Sequence, residues 1–243
     1  LSELTGRPIL SRPCVDTAPL LERELASAAG LGFIAKSTMT IIPAVGTYTL
    51  LGELLVDFEL PAAEPTKSKC GQCTACLDKC PTQAFVQPHV LVARRCISYL
   101  TIESKAPIPK ELRKPIGNRI YGCDICQEVC PFNASSKPRP GDPSLAPFEH
   151  LEFPQLTAML HLRSGEYRRF VKGTALRRAS RAQLGRNAAI ALGNSGDEKA
   201  IPPLIQALKN NTSAMVRGHV AWALGQFKTP EAHAALHQAM NTE

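Results

Sequence analysis

The cysteines leave this chain few ways to fold. Cys70, Cys73, Cys76 and Cys80 stand as CxxCxxCxxxCP, Cys123, Cys126 and Cys130 as the shorter CxxCxxxCP, and Cys96 lies between the two groups. Short-spaced cysteines followed by proline suit metal ligands in a reducing compartment better than the disulfides of a small secreted protein. At the first spacing a turn-rich loop wraps three thiolates round one iron-sulfur cubane while the fourth reaches a second cubane. The shorter motif is one ligand short. Exchanging the two CP cysteines and admitting Cys96 supplies the eight thiolates that two 4Fe-4S clusters need. Cluster one is then expected on Cys70, Cys73, Cys76 and Cys130, and cluster two on Cys80, Cys96, Cys123 and Cys126. Structural zinc is the alternative, although zinc sites rarely use successive CxxC steps ending in CP. Two clusters pass single electrons and break no bonds themselves, so other groups must carry any chemistry. Cys14 falls outside both sets and reads as a buried or incidental thiol.

With 243 residues, 44% of them hydrophobic, the chain can build one large core or two to three smaller ones. Residues 1–63 predict a helix from Pro19 to Ala29, ended by Gly30, and glycine-punctuated apolar runs such as Thr47 to Leu55, as in part of an α/β layer. Ala62 to Lys69 reads as a linker into the cysteine-rich region, and the proline-rich stretch Ser136 to Pro147 as a linker out of it. Beyond lies an internal repeat. Ala189, Ala191, Leu192, Gly193, Leu204, Gln206 and Ala207 recur 32 residues later as Ala221, Ala223, Leu224, Gly225, Leu236, Gln238 and Ala239. Two stacked helix pairs of a HEAT-like solenoid follow from that period, with an ordinary helical bundle as the alternative. The expected fold class is therefore α+β and multi-domain, with pieces at 1–63, 64–147 and 148–243.

The formal charge of +7 favours a polyanionic partner. It is concentrated in Arg163, Arg168, Arg169, Lys172, Arg177, Arg178, Arg181 and Arg186, with Glu166 the acid among them. A solvated helical face is the plainer explanation of any one of these residues. No stretch reaches the roughly 20 apolar residues of a membrane span, and no basic-then-apolar leader is visible.

The phrases round the cysteines resemble epoxyqueuosine reductases. They are VDTAP from Val15, GLGFIAK from Gly30, GTYTLLGE from Gly46, CGQCTACLDKCPTQA from Cys70, RRCISYLTIE from Arg94 and IGNRIYGCDICQEVCPFN from Ile116, with ALRRASRAQLGRNAAIALGNSG from Ala175 opening the repeats. The resemblance implies a cytoplasmic monomer, without a membrane anchor, that converts epoxyqueuosine to queuosine at the wobble position of transfer RNA with a GUN anticodon. It implies a partial α/β cobalamin-binding domain at 1–63, a ferredoxin-type two-cluster domain at 64–147 and a tRNA-binding HEAT-like domain at 148–243. A flavodoxin or ferredoxin would feed electrons through both clusters to cobalamin. The family's N-terminal segment, which supplies another part of the cobalamin domain, is expected before Leu1. Ala35 and Ser37 depart from the family's usual glycine and asparagine.

An epoxide oxygen leaving as alkoxide needs a proton, and the family match assigns that role to Asp16. Spacing alone would make Asp16 an N-cap for the helix near Pro19. By resemblance Asp16, Lys36, Thr40, Leu51 and Ser98 contact cobalamin. Their plainer readings are a surface lysine for Lys36, core packing for Thr40 and Leu51, and a helix-surface hydroxyl for Ser98. Arg23 would reach the substrate or pair with a neighbouring glutamate. Arg113, Arg119, Arg168, Arg169, Lys172, Arg177 and Arg178 would hold RNA phosphates. Rival readings are a plain two-cluster ferredoxin module, a HEAT-repeat scaffold with structural clusters, and a relative of the reductive dehalogenases.

Overall fold

A computed structural model describes residues 2–16, 18–134, 146, 148, 151 and 154–241. They fall into two compact units, one drawn from 1–80, 85–91 and 124–139, the other from 81–84, 92–123 and 140–243. The cysteine-rich stretch contributes to both. The expected linker Ser136 to Pro147 lies, apart from Ala146, outside the described residues.

The first unit holds helices α1 (Ser2–Thr5) and α2 (Glu22–Ala28), strands β1 (Ser11–Cys14), β2 (Phe33–Ile34), β3 (Thr40–Ile41), β4 (Glu53–Val56), β5 (Phe85–Gln87) and β6 (Val90–Leu91), and short helices α3 (Ala75–Asp78), α6 (Ile125–Glu128) and α7 (Pro131–Ala134). Its described strands pair antiparallel, β1 with β4 from Ser11 opposite Val56, β2 with β3 from Phe33 opposite Ile41, and β5 with β6. A parallel α/β layer needs crossover helices between its strands. Here β2 returns to β3 through a tight turn, in which Thr38 N–H donates to the Ala35 carbonyl and Ala35 N–H to that of Met39. Helix α2 begins at Glu22, three residues after the expected Pro19, because Leu21 occupies its N-cap and no side chain caps it. The core of this unit is Phe33, Ala35 and Ile41, packed against Cys70, Cys130 and Phe132. The rings of Phe33 and Phe132 meet edge to face, 5.6 Å apart.

The described residues of the second unit are helical apart from turns and loops. Helices α4 (Ile97–Ile102) and α5 (Lys110–Ile116) come from the cysteine-rich stretch, and α8 (Leu156–Met159), α9 (Ser164–Phe170), α10 (Arg181–Ser195), α11 (Ile201–Asn210), α12 (Ala214–Leu224) and α13 (Pro230–Met240) follow. The repeat supplies the core. Ala189, Leu192, Leu204, Ala207, Ala223 and Leu224 are all buried in one cluster. A Cβ on Gly193 would sit 2.7 Å from the Ala223 Cα, so the repeated small residues set how closely α10 and α12 approach. Local signals delimit these helices. Ser180 and Gln183 form a capping box, Gly196 closes α10 in the left-handed conformation, and Ser213 and Thr229 cap α12 and α13.

A polar seam runs along α10. Arg186, fully buried, donates to the carbonyls of Leu100, Ser104 and Ala106 and through Nε to Asn187 Oδ1. Asn187 donates to Thr101 and Ile120 carbonyls, and Gln183 to those of Ile102 and Ser104. These are largely the orphan carbonyls at the end of α4, the helix that starts just after Cys96. Burial holds the Arg186 pKa down to about 10, so the guanidinium stays charged near neutral pH. Arg186 therefore leaves the basic surface to which its charge assigned it.

Candidate metal centre

Cys70, Cys73 and Cys76 are presented by one loop and the first turn of α3. Cys73 N–H donates to the Cys70 carbonyl, Gly71 between them has φ +51°, and Thr74 Oγ1 donates to Asp78 Oδ2 across the helix start. Cys130 ends the turn after α6, where its N–H donates to the Gln127 carbonyl before Pro131 opens α7. These four cysteines line one cavity of about 170 Å³, together with Ala35, Lys36, Ser37, Ile41, Lys69 and Phe132. Among the described residues no cysteine is joined in a disulfide, and no three metal-binding side chains converge closely enough for a single ion. Four thiols spread over a cavity wall suit the corners of a cubane better than one zinc. Burial, and then the neighbouring Cys70 and Cys73, push the Cys76 thiol up.

Of the second expected set, Cys80 and Cys126 belong to the first unit and Cys96 and Cys123 to the second. Cys96 directly precedes α4, and Cys123 packs against the core of Ile97, Leu100 and Ile116.

The Lys36 ammonium donates to the carbonyls of Gly71, at 2.7 Å, and Cys73, at 2.9 Å. It is thus engaged with the cysteine loop. Ala35 and Ser37, the two departures from the family phrase, border the same cavity. Thr40 is buried and its hydroxyl oxygen lacks a hydrogen-bond partner among the described residues. Leu51 is half-buried in the loop before β4, and Ser98 is half-buried in the first turn of α4. Asp16 is exposed with φ +52°, a left-handed backbone uncommon for a residue with a side chain. It does not cap α2; instead its N–H donates to Glu22 Oε1. Arg23 donates to the Thr38 carbonyl at 2.7 Å and borders a separate cavity of about 540 Å³ with Glu24, Ser27, Thr66 and His89.

Of the expected RNA contacts, Arg168, Arg169, Lys172, Arg177 and Arg178 are exposed. Arg178 pairs with Glu103 at 2.6 Å, and Arg119 makes a long contact to the Ile116 carbonyl. Arg113 is a correction. Only 7% exposed, it donates to the Ile108 carbonyl and lies 5.7 Å from the Trp222 ring, so it serves the core and offers nothing to a phosphate. Sequence reasoning also missed a polar knot. Thr47 N–H donates to Asn133 Oδ1 and Thr47 Oγ1 to Gln127 Oε1, while Asn133 Nδ2 reaches the Gln127 carbonyl. Gly46 has φ +100°, and a Cβ there would lie 2.0 Å from Asn133 Oδ1. The only sign in the sequence is that all three residues fall inside the phrases GTYTLLGE and CQEVCPFN.

Residues 69–133 match the 4Fe-4S double cluster binding domain family and residues 173–243 match HEAT repeats. The chain is 43% identical over 219 residues to the epoxyqueuosine reductase of Xanthomonas campestris, covering 90% of this chain and 61% of that one. It superimposes on the epoxyqueuosine reductase of Streptococcus thermophilus with a TM-score of 0.79 and 30% identity, covering 99% of this chain and 68% of that one. The chain belongs to the epoxyqueuosine reductase family. Two further structures of epoxyqueuosine reductase agree. The Bacillus subtilis protein, with an aspartate-bearing catalytic loop swung out of its active site, gives a TM-score of 0.90 at 34% identity over 100% of this chain and 64% of that one. An epoxyqueuosine reductase bound to an epoxyqueuosine-modified tRNA-Tyr stem loop gives 0.87 at 35%, over the same shares. The chain spans about three fifths of the curated relatives it matches, 61% for the Xanthomonas protein.

Proposed function

We propose that this chain forms the iron-sulfur and helical-repeat part, with a share of the corrinoid site, of a cytoplasmic, monomeric enzyme that reduces epoxyqueuosine in tRNA to queuosine. The observation that carries this reading is the single cavity onto which the first three cysteines of one CP motif and the last of the other converge. They would hold cluster one. Cys80, Cys96, Cys123 and Cys126 would hold cluster two. For cobalamin the residues present make a partial fit: an orphaned Thr40 hydroxyl, and exposed apolar side chains at Val15, Tyr48, Leu50 and Leu54. Leu51 and Ser98 complete the residues assigned toward it. When bound, the clusters and a reduced corrinoid would supply the electrons, drawn from a flavodoxin or ferredoxin, that remove the epoxide oxygen as water.

Asp16 would protonate that oxygen as its bond to carbon breaks. Its carboxylate makes no hydrogen bond or ion pair among the described residues, and its backbone is held in a sparsely populated conformation, as at many functional loops. Arg168, Arg169, Lys172 and Arg177 would hold phosphates of the anticodon stem loop, with Arg178 and Arg119 beside them and Arg23 nearer the substrate.

The test is to purify the protein anaerobically, supply cobalamin, measure iron, cobalt and paramagnetic resonance, and assay an epoxyqueuosine-modified stem loop. About eight irons and a bound cobalt are expected, with queuosine formed by the native protein. Asp16→Asn should lower turnover by at least about 100-fold, a typical share for a proton donor, with cluster signals unchanged. Eight irons without cobalt or turnover would reduce the assignment to an electron-relay module.

A further inference from the structure

We infer that Lys36 is a positioning residue for cluster one, holding the Cys70 to Cys76 loop in its metal-binding shape and raising the reduction potential of the cluster. This rests on the reading of the four-cysteine cavity as a cluster site. The lysine is itself fixed. It sits in the β2–β3 turn between buried Ala35 and Ser37, and its carbonyl accepts from His89 N–H at 2.9 Å. That turn is built on the cavity wall, since Phe33, Ala35 and Ile41 pack against Cys70, Cys130 and Phe132.

From there the ammonium binds the carbonyls of Gly71 and Cys73 together. Because the two ends of a trans peptide point opposite ways, these bonds turn the N–H groups of Gln72 and Thr74 to the other side. Two carbonyls of the loop that carries three ligands are thus fixed by one side chain.

The electrostatic consequence follows from charge. A cluster that takes up one electron gains one negative charge, and a cation in a wall shared with Phe132 and Ile41 stabilises that form more than the oxidised one. Lys69 provides a comparison within the same wall. It is exposed, and no hydrogen bond ties it to the loop.

The experiment is a redox titration of the anaerobic, cluster-loaded protein, followed by paramagnetic resonance, in Lys36→Met, Lys36→Arg and Lys69→Met. In Lys36→Met one of the two one-electron waves should shift negative so that the reduced-to-oxidised ratio at fixed potential falls about tenfold, roughly 59 mV. The other wave should stay, Lys36→Arg should recover most of the shift, and Lys69→Met should show less of it. Selective loss of one cluster's iron in Lys36→Met, with helical circular dichroism intact and iron retained in Lys36→Arg, would equally support the positioning role. Unchanged waves, equal movement of both waves, an equal shift in Lys69→Met, or general unfolding would overturn it. A native protein lacking any cluster signal would instead sink the cluster reading itself.

Discussion

At the scale of single residues, charge and polarity proved poor guides to location. Arg113 and Arg186 carry the same side chain as Arg168 and Arg177, yet the first two are buried against carbonyls and an aromatic ring while the others are exposed. Composition counts all four alike, because nothing local says whether a guanidinium will meet water or the carbonyls of a distant helix. Lys36 shows the same limit: its two carbonyl partners lie beyond any helical or strand periodicity. The convergence of Cys70, Cys73, Cys76 and Cys130 on one cavity was legible because metal coordination imposes its own spacing. His219 belongs with the hidden residues. Only 1% exposed, it accepts the Ile108 N–H at Nε2 and donates from Nδ1 to the Met215 carbonyl, an arrangement that requires the neutral ring. Burial, assisted by the charges of Arg113 and Arg186, lowers its pKa to about 4. Below its ordinary value near 6.5 the unfolded ring takes a proton that the folded one refuses, so stability falls as pH drops from 6.5 toward 4, by about 3 kcal/mol at most. Denaturant unfolding of the second unit across that range should show this loss, and His219→Gln should flatten it.

At the scale of elements, the repeat helices were legible in sequence because caps and small-residue periodicity act locally. The start of α2 was misplaced: a proline and an Asp-Thr pair suggested Pro19, whereas the helix begins at Glu22 without a side-chain cap. What no pattern announced is that α10 serves two neighbours. Its small residues face α12, and its Gln183, Arg186 and Asn187 satisfy the end of α4. Replacing Arg186 by methionine would strip donors from the carbonyls of Leu100, Ser104 and Ala106, each a loss of about 1 to 3 kcal/mol. A total near 3 kcal/mol should lower the thermal midpoint of the helical signal by roughly 6 to 12 °C in a chain of this size. An unchanged midpoint would mean that water replaces the guanidinium at little cost.

At the scale of the molecule, motif and period pointed to an iron-sulfur stretch and helical repeats, as the family matches at 69–133 and 173–243 have them, while the cysteine-rich stretch proved to be shared between two compact units. A cut in a contact pattern need not follow the cut in composition. The exposed cations of the second unit should make stem-loop binding steeply salt-dependent. Replacing Arg168, Arg169, Lys172 and Arg177 together by alanine should reduce the slope of log affinity against log salt by about 3, at 0.7 to 0.9 per phosphate contact. Arg113→Met should leave that slope unchanged. Among the described residues no helix is long and apolar enough to cross a membrane. The knot of Thr47, Gln127 and Asn133 ties the loop after Gly46 to the segment on either side of Cys130. On the proposed assignment of Cys130 to cluster one, oxygen damage that strips its iron would loosen a stretch assigned to the corrinoid side as well as the electron carrier. Such a molecule would fail as a whole, instead of lingering with an intact corrinoid side and no working wire.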